Sequence, residues 1–472
     1  MEGEIRMVIF RLYTSCELKP VSMKIVFISL LNLLFLKISA QERFAISQVN
    51  IIDPGSRQII KNQTLYIENG IIKNMGSSIS YPKEVTTING SGKYLLPGLA
   101  EMHAHTPVPD SSGDIKLLRQ TIELFLVNGV TTLRGMLGQP YHLRLQEDLR
   151  IKGHPSPAII YTSSPSLNGN SLPDEATAER LVKQYKKEGY HFLKIHPGIK
   201  RPVYDAVVRT AREVKIDFAG HVPVEVGIYH AASSGQKTID HMDGMIEALA
   251  PPLPDINQNG FFGFNVTDLI DPSKIKPLVL HIKKTGAWVV PTQSLFTRWF
   301  SADDPKKMIN EKEISYMPSR TRYAWLQSKT NMQSAPGFTP ERYQKFLSAR
   351  QKLLKELYLQ KVPLLMGSDA PQVMNVPGFS IHHEMKSWAD AGIPTWEILR
   401  AATVHVSTFF NSGNSTGVIK KGRRANFILL SANPVDNIEN SKSIEGVVGI
   451  DGKWIARSDI EKILERIAKE NE

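Results

Sequence analysis

The middle of the 472-residue chain alternates short apolar runs with amphipathic stretches. In residues 115–130, 177–189 and 204–215 apolar side chains recur with a helical period, which predicts amphipathic helices. The intervening apolar runs are short enough to be buried strands, and eight of them are found at 94–103, 131–136, 158–163, 192–196, 217–222, 238–242, 288–293 and 364–370. Eight strand–helix alternations predict a parallel (β/α)8 TIM-like barrel, with a doubly wound open sheet as the alternative.

The two ends of the chain follow a different pattern. Residues 44–76 are short alternating runs separated by Pro-Gly, Asn-Gln and Asn-Gly pairs, which is typical of β-hairpins. Similar runs return at 417–439 and 444–456. We therefore expect an α/β protein in which both ends build one small discontinuous β-sandwich domain beside the barrel. The predicted domains are the sandwich at 41–97 and 416–472 and the barrel at 98–415.

Residues 1–40 predict export. From Met23 a lysine precedes an apolar stretch at 25–36, and small residues follow at Ser39 and Ala40, the layout of a cleaved signal peptide. A membrane anchor and a buried first helix are the alternatives, but this stretch is too short to span a bilayer. We expect translation to start at Met23, after an upstream extension, and the mature protein to be periplasmic or secreted.

Composition narrows the class of protein. A hydrophobic content of 42% with 22% charged residues is ordinary for a globular enzyme. The net charge of +11 comes from scattered basic residues without a compact aromatic-flanked cluster, which argues against nucleic acid as a partner. The single cysteine, Cys16, lies in the segment that cleavage would remove, so disulfides and thiolate chemistry are not expected in the mature chain. A small-molecule substrate is the expected partner; homo-oligomerisation is left open.

Candidate ligands for a metal ion stand where predicted strands end. His103 and His105 are one residue apart in "EMHAH", so both project from the same face of an extended segment. The others are Lys194, His221, His241 and Asp369. Each alone has an ordinary explanation as a satisfied polar residue, a surface lysine or a helix cap, and His196 competes with Lys194 as a ligand. Together they converge on the mouth of a barrel, which is where barrel enzymes carry their chemistry.

These stretches carry a family resemblance. The ordered set "LLPGLAEMHAH", "GVTTLRGM", "FLKIH", "AGHVPVEVGIYHAASSGQKTIDHMDG", "MGSDAP", "AGIPTWEILRAATVHVS" and "GVIKKGRRANFILL" resembles the amidohydrolase superfamily, in the branch of imidazolonepropionase-like enzymes and metal-dependent Xaa-Pro dipeptidases. The resemblance covers about residues 44–458. One departure is the region after the third strand, "SSPSLNGNSLPDE", where similar proteins often carry a histidine.

The resemblance implies two divalent metal ions. His103, His105 and Asp369 would hold one ion, and His221 and His241 the other, with Lys194 bridging the two. Because a free ammonium cannot be a ligand, Lys194 would be carboxylated to a carbamate by CO2. Nitrogen and carboxylate ligands without sulfur favour Zn2+.

The implied activity is hydrolysis of an amide or another non-ester C–N bond by a metal-bridging hydroxide, with Asp369 as the catalytic proton carrier. Dipeptides, N-acyl amino acids and cyclic amides are the expected substrates. The alternatives are an imidazolonepropionase-like ring opener, a deaminase and a non-catalytic binding protein with this fold. Arg298 and His382, which follow the last two strands, are predicted to bind a substrate carboxylate.

Overall fold

The first described strands form an antiparallel meander, as the turn pairs predict. The computed structural model describes residues 42–412 and 416–472. Its strands are β1 (Arg43–Asp53), β2 (Gln58–Glu68), β3 (Ile71–Gly76), β4 (Thr86–Asn89), β5 (Tyr94–Pro97), β6 (Leu99–Ala104), β7 (Val130–Gly135), β8 (Ile159–Leu167), β9 (Phe192–Ile195), β10 (Asp217–Gly220), β11 (Thr238–Asp240), β12 (Trp288–Val290), β13 (Phe427–Leu430), β14 (Ile444–Val448) and β15 (Trp454–Ala456).

The helices lie mainly between the strands of the middle of the chain. They are α1 (Lys116–Val127), α2 (Leu145–Ile151), α3 (Glu175–Glu188), α4 (Arg201–Val214), α5 (Ile228–Ser233), α6 (Met245–Leu249), α7 (Ile275–Thr285), α8 (Gln293–Arg298), α9 (Pro305–Met308), α10 (Ser319–Gln333), α11 (Pro340–Leu359), α12 (Phe379–Asp390), α13 (Thr395–Ala401), α14 (Val404–Phe409) and α15 (Arg457–Glu470). The ends of helix α3 follow from the sequence, since Asp174 caps its first turn and Gly189 ends it with φ 94°.

Strands β6 to β12 form a parallel sheet in sequence order. The segment 364–370 closes it: Leu364 bridges to Val289 of β12, and Ala370 bridges to Ala104 of β6. Backbone amides of Met102, His105 and Asp369 add hydrogen bonds along the β6 side. The structure confirms a (β/α)8-type barrel, in which seven strands and the segment 364–370 complete the ring.

Strands from both chain ends form a second sheet. Its order is β15-β14-β13-β5-β1-β2-β3, with β4 paired to β1. It has a core of its own, which includes Ile46, Leu65, Leu95, Phe427 and Val448. The predicted β structure from both chain ends is therefore present as a separate sheet, in which β1 to β5 and β13 to β15 are joined by hydrogen bonds.

One predicted strand was wrong in its extent. The run 94–103 is divided between the two sheets, β5 in the composite sheet and β6 in the barrel. Gly98 separates them, and a Cβ atom at this position would lie 2.0 Å from Thr131 Oγ1 and 2.3 Å from Asn426 Oδ1. Only glycine fits where the chain crosses so close to both neighbours.

The predicted signal peptide and its upstream extension lie outside the described residues. Within 42–412 and 416–472, the structure contains no helix with the length and hydropathy needed to cross a bilayer.

Candidate metal centre

The barrel brings all six predicted metal ligands to one end. His103 lies in β6 and His105 directly after it, Lys194 lies in β9, and His221 and His241 directly follow β10 and β11. Asp369 lies in the closing segment beside β6, where its amide donates to the His103 carbonyl at 2.9 Å. Parallel strands end on the same side of a barrel, so residues far apart in sequence meet there.

Three of these residues already form a group with metal-binding geometry. Donor atoms of His103, His105 and Asp369 all lie within 4.8 Å of one another. Asp369 Oδ1 is 2.7 Å from His105 Nε2 and 3.5 Å from His103 Nε2. Two imidazoles and one carboxylate facing a common point are a donor set suited to Zn2+ and related divalent ions.

The other three residues adjoin this group. Lys194 Nζ lies 3.3 Å from His103 Nε2, and the His241 ring lies 4.4 Å from the His103 ring, measured between centroids. The His221 ring is 4.5 Å from the His241 ring. His196, the competing candidate, packs edge-on against His221 with ring centroids 4.8 Å apart.

Lys194 reaches the centre through a gap left by a glycine. The lysine is fully buried, and Gly220 in the adjacent strand has φ 124°. A Cβ atom on Gly220 would lie 3.1 Å from Lys194 Cδ and 2.4 Å from the Ile195 carbonyl oxygen. Burial lowers the pKa of Lys194 to about 8, which increases the fraction of neutral amine near neutral pH.

Burial also keeps the central imidazoles neutral. It lowers the pKa of His103 and of His241 well below the usual value, and it lowers the pKa of His221 to about 3. Neutral imidazole has the lone pair that a metal ion requires. His241 Nε2 is buried without a hydrogen-bond partner among the described residues. The donor set and this unpaired nitrogen both fit a divalent metal ion.

Each central histidine contacts a neighbour through Nδ1. His221 Nδ1 lies 3.0 Å from Asp243 Oδ2, and His241 Nδ1 lies 2.9 Å from Thr292 Oγ1. His103 Nδ1 lies 2.9 Å from Asp240 Oδ2, in a contact that is short but not aligned as a hydrogen bond. Contacts of this kind orient the rings and leave Nε2 for the metal.

Glu101 stiffens the strand that carries the two adjacent histidines. Its Oε1 accepts hydrogen bonds from the amides of His103 and Ser368 at 2.9 and 2.8 Å, and Ser368 Oγ donates to Oε2. Burial raises the pKa of Glu101 to about 8. The side chain thus ties β6 to the segment that carries Asp369.

The backbone at two predicted ligands is strained. His241 has φ 63° and Asp369 has φ 65°, both in the left-handed region that side chains other than glycine rarely adopt. Each such residue costs about 1–3 kcal/mol and persists where surrounding contacts determine its conformation, which is common at functional sites.

Arg298 and His382, the predicted substrate contacts, have protein partners of their own in the structure. Arg298 ends α8 and is engaged by Glu311 and Glu313 at 2.5 and 3.3 Å, so its guanidinium already has two carboxylate partners. His382 is 2% exposed and bonds the Ser441 hydroxyl and the Asn128 carbonyl oxygen. Asn128 lies two residues before β7, at the end of the barrel opposite the metal centre.

The sequence interpretation missed Glu101, Asp240, Asp243 and Thr292. Asp240 and Asp243 flank His241 in "TIDHMDG", and Glu101 shares its strand face with His103. Their spacing in the sequence therefore indicated that they lie near the predicted ligands. The contact of Thr292 with His241 joins two strand ends and has no local signal.

Comparison with known proteins agrees with this geometry. The amidohydrolase family model matches residues 94–455. The chain is 21% identical over 425 residues to a 5-methylthioadenosine/S-adenosylhomocysteine deaminase of Caldanaerobacter subterraneus, covering 82% of this chain and 84% of that enzyme. A segment of 59 residues is 39% identical to a dihydroorotase of Trichlorobacter lovleyi, and it spans 12% of this chain and 14% of that enzyme.

Solved structures share the fold. A bottromycin amidohydrolase superposes with a TM-score of 0.67 at 18% identity, covering 91% of this chain and 90% of that one. A Xaa-Pro dipeptidase with bound methionine superposes with a TM-score of 0.60 at 18% identity, covering 88% and 100%. With the family match extending over most of the chain, the protein belongs to the amidohydrolase family and is a hydrolase acting on carbon–nitrogen bonds.

Proposed function

We propose that the protein is a binuclear metal hydrolase that cleaves the amide bond of a small molecule such as a dipeptide, an N-acyl amino acid or a cyclic amide. The observation that carries this proposal is the meeting of Lys194 with the histidine and aspartate ligands. Lys194 Nζ lies 3.3 Å from His103 Nε2, inside a cluster of buried donors. The side chain of Lys194 is fully buried, and none of the carboxylates in the described part of the chain lies at ion-pair distance from its Nζ.

A carbamate gives this lysine a role. The neutral amine adds to the carbon of CO2 and releases one proton, which converts Nζ into part of an anionic group with two oxygen donors. His103, His105 and Asp369 would then hold one divalent ion, and His221 and His241 a second, with the carbamate between them. When bound, such a pair of ions polarises a carbonyl group and lowers the pKa of water toward neutrality.

Asp369 is the residue best placed to move protons. Its side chain is 7% exposed, with Oδ1 2.7 Å from His105 Nε2 and Oδ2 3.7 Å from His241 Nδ1. It accepts the proton of the attacking water and delivers it to the nitrogen that leaves, so the amide is divided into a carboxylic acid and an amine.

A Xaa-Pro dipeptidase shares the fold, so dipeptides are the first substrates to test. A deaminase is the second candidate, favoured by the relative that matches over 425 residues. Lys194 separates the two, since a bridging lysine implies two ions and single-ion deaminases have no use for one.

The experiment is a screen of purified, metal-loaded protein against dipeptides, N-acyl amino acids, cyclic amides and aminopurine nucleosides. We expect amine release from one of the first three classes and its loss in Asp369→Asn. Ammonia release from the nucleosides alone would replace the proposal with the deaminase.

We also propose that the protein is exported, on the pattern from Met23 to Ala40. Its substrate would then be encountered outside the cytoplasm.

A further inference from the structure

A strained phenylalanine lies beside the metal centre. Between α6 and α7 the chain forms a 3-10 segment, Phe261–Leu269, which is interrupted at Phe262 with φ 53° and ψ 32°. Glycine or asparagine would make this left-handed turn with less strain, so the turn itself does not require an aromatic side chain.

The ring of Phe262 faces the histidines assigned to the second ion. Its centroid lies 5.6 Å from that of His241 and 6.3 Å from that of His221. The side chain is only partly buried, in contrast to the core aromatic residues around it. It therefore presents apolar surface next to the predicted reaction centre.

The ring of Phe262 packs against two buried aromatic side chains. Phe296 and Phe300 are fully buried and pack against Phe262 with ring centroids 5.0 and 6.2 Å away. The next residue, Gly263, has φ 75°, and a Cβ atom there would lie 2.7 Å from Ile246 Cγ2 and 3.0 Å from Glu247 Cδ. The segment thus packs closely on α6, and Phe262 forms a fixed wall.

We propose that Phe262 is the specificity-determining wall of the substrate pocket, and that the substrate carries an aromatic or large aliphatic group beside the scissile bond. This inference rests on the proposed amide hydrolysis and names its substrate class. An apolar group against this ring is removed from water, and the ring adds a favourable stacking or edge-to-face contact. A small or charged group in the same place gains neither.

The test compares dipeptides that carry glycine, leucine or phenylalanine at each position in turn. The wild-type protein is expected to favour the phenylalanine and leucine forms in kcat/KM by about tenfold or more over glycine at one position. In Phe262→Ala this ratio is expected to fall to near one, whereas Phe262→Leu keeps part of it. The matched control is Phe261→Ala, since Phe261 is 68% exposed. In this variant the ratio of kcat/KM values is expected to stay at the wild-type value.

Binding provides an independent readout. Calorimetry with 3-phenylpropionate and propionate is expected to show tighter binding of the aromatic acid to the wild-type protein and loss of that difference in Phe262→Ala. An unchanged preference in folded Phe262→Ala, by either measurement, would overturn the inference. If no amide is hydrolysed by the metal-loaded wild type, the proposed function fails, while the binding comparison still decides the role of Phe262.

Discussion

Asp243 Oδ2 lies 3.0 Å from Nδ1 of His221. This contact orients the imidazole, and in the tautomer with the proton on Nδ1 the ring donates to Asp243 and leaves Nε2 free for a metal ion. The same aspartate oxygen accepts from the amide of Val222, so one side chain sets both the ring and the backbone that follows β10.

Asp243→Asn is therefore expected to weaken metal binding by about 10- to 100-fold, since an amide can no longer select the correct tautomer. Competition with a chelator of known affinity measures this. Asp205→Asn is the matched control, because Asp205 contacts His230 at 2.6 Å outside the metal centre. Equal losses in both variants would mean that the effect is not specific to the site.

Lys194→Ala is expected to reduce the metal content from about two ions per chain to about one and to remove most activity. Lys194→Glu, which restores a carboxylate, is expected to recover part of the second ion. Elemental analysis of gel-filtered protein gives the number of ions per chain.

Lys329 provides the matched control. It is equally buried but donates to the carbonyl oxygens of Arg298, Trp299 and Ser301, so Lys329→Met should lower Tm and leave the metal count unchanged. If Lys194→Ala kept two ions and full turnover, the lysine would be structural, and His196 would become the candidate ligand in its place.

Arg298→Ala is expected to reduce stability by about 1–3 kcal/mol, because Glu313 loses a charged partner in a largely buried position. Substrate selection should not change. The measurement is denaturant unfolding together with kcat/KM for a dipeptide and its C-terminal amide. A selective loss of the free-acid substrate would instead restore Arg298 as a carboxylate contact.

His382 predicts a pH dependence of stability. Burial lowers its pKa to about 3, below the value near 6.5 in the unfolded chain. As pH falls below 6.5 the unfolded state binds a proton that the folded state does not, so stability decreases by up to about 1.4 kcal/mol per pH unit between 6.5 and 3.

His382→Gln should remove the share of this dependence that comes from His382, since an amide can bond Ser441 and Asn128 without titrating, while the buried imidazoles of the metal centre still contribute. Unfolding free energies at pH 7 and 4.5 measure the difference. The control is His281→Gln at an exposed site, which should keep the wild-type slope. If the free energy of unfolding of His382→Gln changed with pH as much as that of the wild type, His382 would not contribute to the pH dependence.

Export predicts a mature amino terminus near Gln41. Sequencing of the protein from its native host, after fractionation, tests this. An intact terminus at Met1 or Met23 in a soluble cytoplasmic fraction would contradict it.

The barrel was predictable because periodicity and strand-end chemistry are local signals. The proximity of His103, Lys194 and Asp369 could be predicted since the ends of parallel strands must meet. The direction of α8 and α12, which decides where Arg298 and His382 lie, depends on long-range packing that no local pattern records. The apolar run 94–103 belongs to both sheets, with the division at Gly98. Hydropathy alone does not show where such a run is divided between two strands.

The closing segment 364–370 joins residues that are hundreds of positions apart, with Asp369 hydrogen-bonded to His103. A growing chain that has not yet reached residue 364 leaves β6 and β12 as open strand edges, which can pair with other chains. A chain that lacks residues 364–370 also lacks Asp369, so it cannot complete either the barrel or the metal centre.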